Sequence, residues 1–467
     1  MDTEKITGLA DRLVNELTQK INAGRVGLKD AEQQVVEFTN WVGDLMTHEV
    51  VAGVEEPTKA NRIVVEGEVA VFEQVRNLRF INRFGEEVVR PRRCYKFVGK
   101  RGGMAPLDAK LGIESCFGFS PLMSYLICLL GCDESYEGAS RKLGELLGFK
   151  ISSTAVQRTT EKTGERIAQD PYRPIEGQEQ QRRCDLMVVE VDGTMSPQIH
   201  EVPGVTGRES LKQPTEYKEC NLIVIEKHEE GHNSSRWTGA RYGPRKHFEE
   251  YARQAGIGMG FLFARLTLFI ADGARHNWEL QMSYFPGAVQ ILDFYHAHEH
   301  LTSFCELLPT ERRAANKKRW PHMLLHGEVL QVIAEMKQLL PSVTDNHKGW
   351  GQINYFPNNK QRMEYDRYQE AGWPIGSGLV EGQCKFVVGK RFKGNGMRWK
   401  KHDNECTLRT RLAYLNGELQ THFDPRPCSL KLVASFCQPP AAGSSIATHG
   451  DDQLPPFRHN PSCTSTG

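Results

Sequence analysis

Two segments constrain the fold of this chain more than any others: "CDLMVVEVDGT" (184–194) and "ARLTLFIADGARHNWEL" (264–280). Each holds a short, nearly continuous apolar run that reads as a buried strand, and each run closes on an Asp-Gly pair, Asp192-Gly193 and Asp272-Gly273. "CNLIVIEKHEEG" reads as a second strand, "GPRKHFEEYARQAG" as a helix with capping signals, and "AVQILDFYHAHEHL" as a strand running into a helix. Strands mixed with helices predict an α/β domain over residues 184–300.

A carboxylate at the end of a buried strand is held rigidly at the rim of its sheet, and the glycine after it lets the backbone turn. Two such carboxylates on neighbouring strands suit a pair of Mg²⁺ ions, which take hard oxygen ligands. Two ions about 3.5–4 Å apart activate an attacking oxygen and stabilise a leaving one in phosphodiester chemistry. A third carboxylate is expected, and Glu381 in "PIGSGLVEGQCK" is the best candidate, in the first turns of a helix for which Gly376, Ser377 and Gly378 form a flexible turn and cap. Plainer readings exist. Asp192 and Asp272 would also serve as turn residues capping backbone amides, and Glu381 as a surface residue paired with Lys385.

The formal net charge is only +1, so any nucleic-acid reading must come from local clustering. "KRFKGNGMRWKK" gathers Lys390, Arg391, Lys393, Arg398 and Lys400 around Trp399, and Lys385 lies just before it. Such a segment beside a metal site suits a phosphate backbone, although basic runs are more often a solvated face. Trp278 and Trp399 are candidates for stacking on a base, with core packing the plainer reading for Trp278.

At 467 residues the chain is long enough for a sizeable core and more than one domain. Residues 1–60 read as helical, with Val35, Phe38, Trp41, Val42, Leu45 and Met46 at helical spacing, suited to oligomerisation or to packing on the same domain. Residues 61–118 read as a small β module. Residues 119–170 have a helix-turn-helix rhythm: Ala139, Leu143 and Leu146 form an apolar face, and Gln157, Arg158 and Lys162 lie exposed on the second helix. That region is either a DNA reader or a plain helical hairpin. Residues 301–372 read as helical, 373–425 carry Glu381 and the basic segment, and 426–467 are Pro-, Ser- and Gly-rich, the composition of a disordered tail.

The chain has twelve cysteines and no C-x-x-C, which predicts reduced thiols in a cytoplasmic protein. The first residues lack a signal-peptide pattern, and no apolar run reaches the roughly 18 residues of a membrane span, so no membrane partner is expected. No zinc is expected either. Cys94 is alone in the β module, and "HAHEH" (296–300) is not the H-E-x-x-H pattern.

Taken in order, "PLDAKLG" (106–112), "VDGT" (191–194), "ADGARHNW" (271–278), "LDFYHAHEHL" (292–301), "PIGSGLVEGQCK" (374–385) and "KGNGMRW" (393–399) resemble the ISKra-type family of bacterial insertion-sequence DDE transposases, related to the mutator group. The resemblance spans residues 60–425. It implies an RNase H-like catalytic core with a helical insertion, preceded by helical and small β DNA-binding regions. Asp192, Asp272 and Glu381 would be the catalytic residues and would hold two Mg²⁺ or Mn²⁺ ions. "DFYH" matches a C/D-x-x-H mark of mutator relatives and makes Asp293 and His296 accessory to the site. The implied activity is cleavage at transposon ends followed by strand transfer into target DNA. The implied setting is a homo-oligomer on DNA, in the cytoplasm and at the nucleoid of a bacterium. Family members carry cysteine pairs in the β module, which this chain lacks. An RNase H-like nuclease without strand transfer, or a non-catalytic DNA-binding derivative of a transposase, are the competing expectations.

Overall fold

The computed structural model describes residues 3–113, 118–169, 184–205, 207–229, 234–424 and 430–432. Two helices open the chain, α1 (Thr3–Asn22) and α2 (Leu28–Gly53). The second half of α2 docks on the β module, where the Asn82 amide donates to Asp44 at 2.6 Å. Val35, Trp41 and Met46 stay exposed, so packing on the chain's own domain accounts for only part of that apolar stripe.

The β module contains β1 (Arg62–Val65), β2 (Glu68–Ile81), β3 (Glu87–Phe97) and β4 (Gly103–Met104), joined as an antiparallel meander. After α3 (Pro106–Leu111) come α4 (Pro121–Gly131), α5 (Tyr136–Leu147) and α6 (Ser153–Gln169). The Ser152 hydroxyl accepts from the Ala155 amide at 3.2 Å and caps α6. The apolar face of α5 is Ala139, Leu143 and Leu147; Leu146, expected inside, points to solvent. A helix advances 100° per residue, and here the inward stripe falls on the four-residue step instead of the three-residue one.

The central sheet contains β5 (Leu186–Ile199), β6 (Thr215–His228), β7 (Ser235–Tyr242), β8 (Leu266–Ala271) and β9 (Val289–Leu292), with the short helix α7 (Gly207–Ser210) between β5 and β6. Its order is β7-β6-β5-β8-β9: an antiparallel meander on one side and two parallel additions on the other. The strands are apolar on both faces because both are covered. Ile223 and Ile225 face one core, with α8 (Arg245–Gly258), α9 (Arg275–Tyr284) and α10 (Phe294–Leu307). Leu222 and Val224 face the other.

Residues 301–372 supply the rest of α10 and then α11 (Thr310–Leu325), α12 (Val329–Leu339), α13 (Asn346–Asn359) and α14 (Tyr365–Glu370). These helices are not a separate body. Trp320, Val332 and Phe356 join the same core as the sheet. The second face is closed by α15 (Gly378–Gln383), a π-helical turn (Cys384–Gly389), α16 (Lys390–Phe392) and α17 (Lys401–Leu415).

Several expectations need correction. β5 does not end at Asp192. It continues to Ile199 because β6 pairs with it along its whole length, Gly193 opposite Asn221. Gly193 is therefore no turn residue; a Cβ there would lie 2.7 Å from Glu219 Oε1. β7 escaped the sequence reading. The tail is not structureless throughout its length, since β10 (Leu430–Leu432) pairs antiparallel with β1. The remainder of 426–467 lies outside the described residues.

Two arginines are wholly buried behind the sheet. Arg391, expected on a DNA-facing surface, stands between Tyr136 and Trp399, 4.8 and 4.7 Å from the ring centroids, and donates to Gly131 O at 3.0 Å. Cation–π contact and one backbone acceptor hold it inside, and Trp399 is buried with it, unavailable for base stacking. Arg411 donates to Val387 O at 2.9 Å, Phe386 O at 2.7 Å, Cys132 O at 3.0 Å and Asp133 Oδ1 at 2.7 Å. Replacing it strands several buried acceptors. Arg411→Met is expected to lower the free energy of unfolding by about 3–5 kcal/mol in urea titrations.

Candidate active site

Asp192, Asp272 and Glu381 come from different elements and meet at one rim of the central sheet. β5 pairs with β8 as far as Glu190 opposite Ile270, so Asp192 lies just past that pairing and Asp272 just past the end of β8. Each is delivered by a buried strand that cannot shift without breaking the core. Asp192 Oδ1 accepts from the Gly193 amide at 2.7 Å, and Oδ2 accepts from the Cys384 thiol at 3.5 Å. Burial raises the Asp192 pKa, and the nearby Asp272 carboxylate adds to the rise.

Asp272 is held tightly on one side only. Its Oδ1 accepts from the Ala274 amide at 3.0 Å and from Asn277 Nδ2 at 2.8 Å, which leaves Oδ2 open. Gly273 turns the chain at φ +90°, where a Cβ would be strained and would also meet Leu292 and Tyr355. The Tyr355 hydroxyl donates to Asp272 O at 2.8 Å and ties the turn to α13. Behind it, Arg245 donates to Asn221 at 2.7 Å and to Asn277 at 2.6 Å, fixing the amide that fixes Asp272. Neither Asn277 nor Arg245 was singled out in the sequence; the position of Asn277 in "DGARHNW" was the available signal.

Glu381 lies in the first turn of α15, half-buried. Burial raises its pKa, followed by repulsion from Asp293, with Asp192 contributing; His296 and Lys385 oppose the rise. The start of α15 is pinned by Glu190, a buried carboxylate that accepts from the Val380 amide at 2.8 Å. Burial pushes Glu190 up to about 7.

Asp293 is fully buried and caps α10. Its Oδ1 accepts from the Tyr295 amide at 2.8 Å, and its Oδ2 accepts from His296 Nδ1 at 2.8 Å and from the Ser377 hydroxyl. With the Phe294 amide bonded to Ile375 O at 2.9 Å, the start of α10 clamps the segment that leads into Glu381. Burial works against the Asp293 charge, but the bonds from His296, Ser377 and the Tyr295 amide outweigh it and hold its pKa below the ordinary value. The Asp293 bond raises His296 to about 9 against the cost of burial.

Among the described residues, Asp293, His296 and Glu381 bring donor atoms within 4.8 Å of one another. Asp192, Asp272 and Glu381 form a wider set than that. His300 does not join them: it stacks on Tyr355 at 3.7 Å and bonds Gln352 at 2.6 Å. Trp278 is core.

The predicted basic residues divide. Lys385 is exposed near Glu381, and Lys393 Nζ donates to Thr194 Oγ1 at 2.6 Å, two residues past Asp192. Lys390 is paired with Asp133 at 2.8 Å, and Arg398 donates to Leu211 O and Gln213 O at 2.5 and 3.0 Å. Lys400 is half-buried at the start of α17, Arg158 is exposed on α6, and Arg391 is buried.

His296 charge is a source of stability below its ordinary pKa of 6.5, and that stability is lost as pH rises through about 9. In chelator-treated protein, NMR should show His296 protonated at pH 7 and titrating near pH 9. A His296 resonance titrating at or below pH 6.5 would contradict the Asp293 pairing.

No protein-family profile and no curated protein matches the chain. Among solved structures, the Drosophila P element transposase strand transfer complex is matched at 9% identity and a TM-score of 0.34, over 65% of this chain and 93% of that one. No helix among the described residues is long and apolar enough to cross a membrane.

Proposed function

We propose that this chain is a DDE-type DNA transposase with an RNase H-like core, of the ISKra-type kind its motifs resemble. The observation that carries the reading is the delivery of Asp192 and Asp272 from the adjacent parallel strands β5 and β8 to one rim, with Glu381 on a helix across from them. The strand order, an antiparallel meander extended by two parallel strands, supports an RNase H-like assignment.

The donor set fits two Mg²⁺ or Mn²⁺ ions. Asp272 has one oxygen saturated and one open, and the Asp272 charge that helps to raise Asp192 would be relieved by divalent charge. The wide triad also suits a pair of ions better than a single one. Asp192, Asp272 and Glu381 would hold the ions between them. Bound there, the ions would supply activation of the attacking oxygen and stabilisation of the leaving one.

The chain's own groups do the rest. Asn277, itself held by Arg245, orients Asp272. Asp293 and Glu190 fix the start of α15 and thereby Glu381. His296 has committed Nδ1 to Asp293, so a protonated ring offers Nε2–H to a phosphate oxygen. Lys385 and Lys393 stand at the rim for the flanking phosphates. The DNA substrates would be terminal inverted repeats and target DNA, and joining two ends calls for a homo-oligomer. The exposed Val35, Trp41 and Met46 of α2 are available for that contact. The setting would be the bacterial cytoplasm and nucleoid.

The test is Mg²⁺-dependent cleavage and joining of a plasmid carrying the DNA that flanks the coding region. Asp192→Asn, Asp272→Asn and Glu381→Gln are each expected to lose at least about 10²-fold in cleavage with unchanged circular dichroism. Retained activity in all three would refute the assignment. Cleavage without joined products would favour a nuclease instead. Asn277→Ala, which leaves every carboxylate in place, should lose about 10–100-fold, recovered in part at high Mg²⁺.

A further inference from the structure

α17 begins "KHDNEC", which puts His402 and Cys406 four residues apart on one face of the helix. Glu165 of α6 faces them. A single observation explains its closeness: Gly164 packs directly against the Cys406 backbone, leaving no space for a Cβ. The two helices touch there, and the residue after the glycine is brought alongside His402.

The resulting distances have a chemical meaning. His402 Nε2 lies 3.3 Å from Glu165 Oε1, and Cys406 Sγ lies 3.7 Å from His402 Nδ1 and 3.9 Å from Nε2. All three donor groups fall within 4.8 Å of one another. A tetrahedral ion with bonds of about 2.1 Å to nitrogen and oxygen and about 2.3 Å to sulfur requires donor separations of about 3.4–3.6 Å. The His402–Glu165 separation is close to that value, and the sulfur would have to move inward to reach it. Asp403 Oδ1 lies 3.8 Å from His402 Nδ1, near enough to add negative charge at the cluster but not to hydrogen-bond the ring.

We infer that Glu165, His402 and Cys406 form a second metal site, which takes one zinc-class divalent ion and pins α6 to α17. The sulfur donor and the small donor number select against Mg²⁺, which demands oxygen and near-octahedral geometry. The site is therefore chemically distinct from the carboxylate rim. His402 and Glu165 are exposed, so the ion can enter from solvent, and a water would complete the fourth position. Ligation would displace the Cys406 thiol proton to solvent. Ion uptake ties the helix that presents Arg158 to the helix that closes the core.

Metal-free full-length chain titrated with Co²⁺ tests this directly, because a thiolate–cobalt bond gives a charge-transfer absorption that oxygen ligands do not. One equivalent of Co²⁺ should develop that band with the intense visible absorption of a tetrahedral site, and Zn²⁺ should abolish both. Cys406→Ser should remove the band. His402→Ala, a change at an exposed side chain, should leave the circular dichroism intact and weaken Co²⁺ binding at least about tenfold. Zn²⁺ should raise the thermal midpoint of the wild-type chain but not of His402→Ala. No charge-transfer band in the wild-type chain, or an unchanged band in Cys406→Ser, would overturn the site and leave a His402–Glu165 ion pair beside an ordinary buried thiol.

Discussion

The Arg411 guanidinium is fully buried and spends its hydrogens on Val387 O, Phe386 O, Cys132 O and Asp133. Its place is set by the π-helical turn at Cys384–Gly389. Arg411 reaches across from α17 and donates to two carbonyls of that turn, while its remaining bonds go to Cys132 O and Asp133 at the end of α4. The helix that carries Glu381 is thereby fixed to α17 and to the α4–α6 bundle at one point. Cys384, at the start of the same turn, faces Asp192, so the irregularity also sets what touches the first carboxylate.

The rim gathers acids that would repel one another, and the fold handles each differently. Asp293 is neutralised locally by His296 and by hydrogen bonds, and it serves as a clamp. Asp192 and Glu381 feel only the more distant charge of His296, joined at Glu381 by Lys385, and burial and the neighbouring carboxylates still raise both. The protein thus invests its hydrogen bonds in the carboxylate that shapes the site and leaves exposed to charge the ones that face the opening. That division suits the cation-binding role proposed for this rim.

Much of this arrangement was readable in the residues. Fully buried strands announce themselves as apolar runs, so β5, β6, β8 and β9 were plain, and α8 and α10 with them, although α8 starts without a side-chain cap. What escaped had weak local signals. β7 carries Gly239 and two arginines in "SRWTGARY" and lacks the apolar density of its neighbours. The course of β5 beyond Asp192 depends on pairing with β6, a non-local partner. Arg391 looked like one more cation in a basic run; only the tertiary positions of Tyr136 and Gly131 make it a core residue. The carboxylates could be picked out as types, but the residues that aim them, Asn277, Arg245 and Glu190, are ordinary in isolation and acquire a role only through distances.

The pairing of β10 with β1 carries a consequence for biosynthesis. β1 emerges from the ribosome early, yet the strand that covers its outer edge is among the last described residues to be made. Throughout translation of the intervening core, the β module presents an open edge with unpaired amides and carbonyls, a template for pairing with other nascent chains. Closure of that edge is a late, long-range event, and loop-closure entropy makes it slow relative to local hairpins. Only a chain translated as far as Leu432 can therefore close that edge with β10.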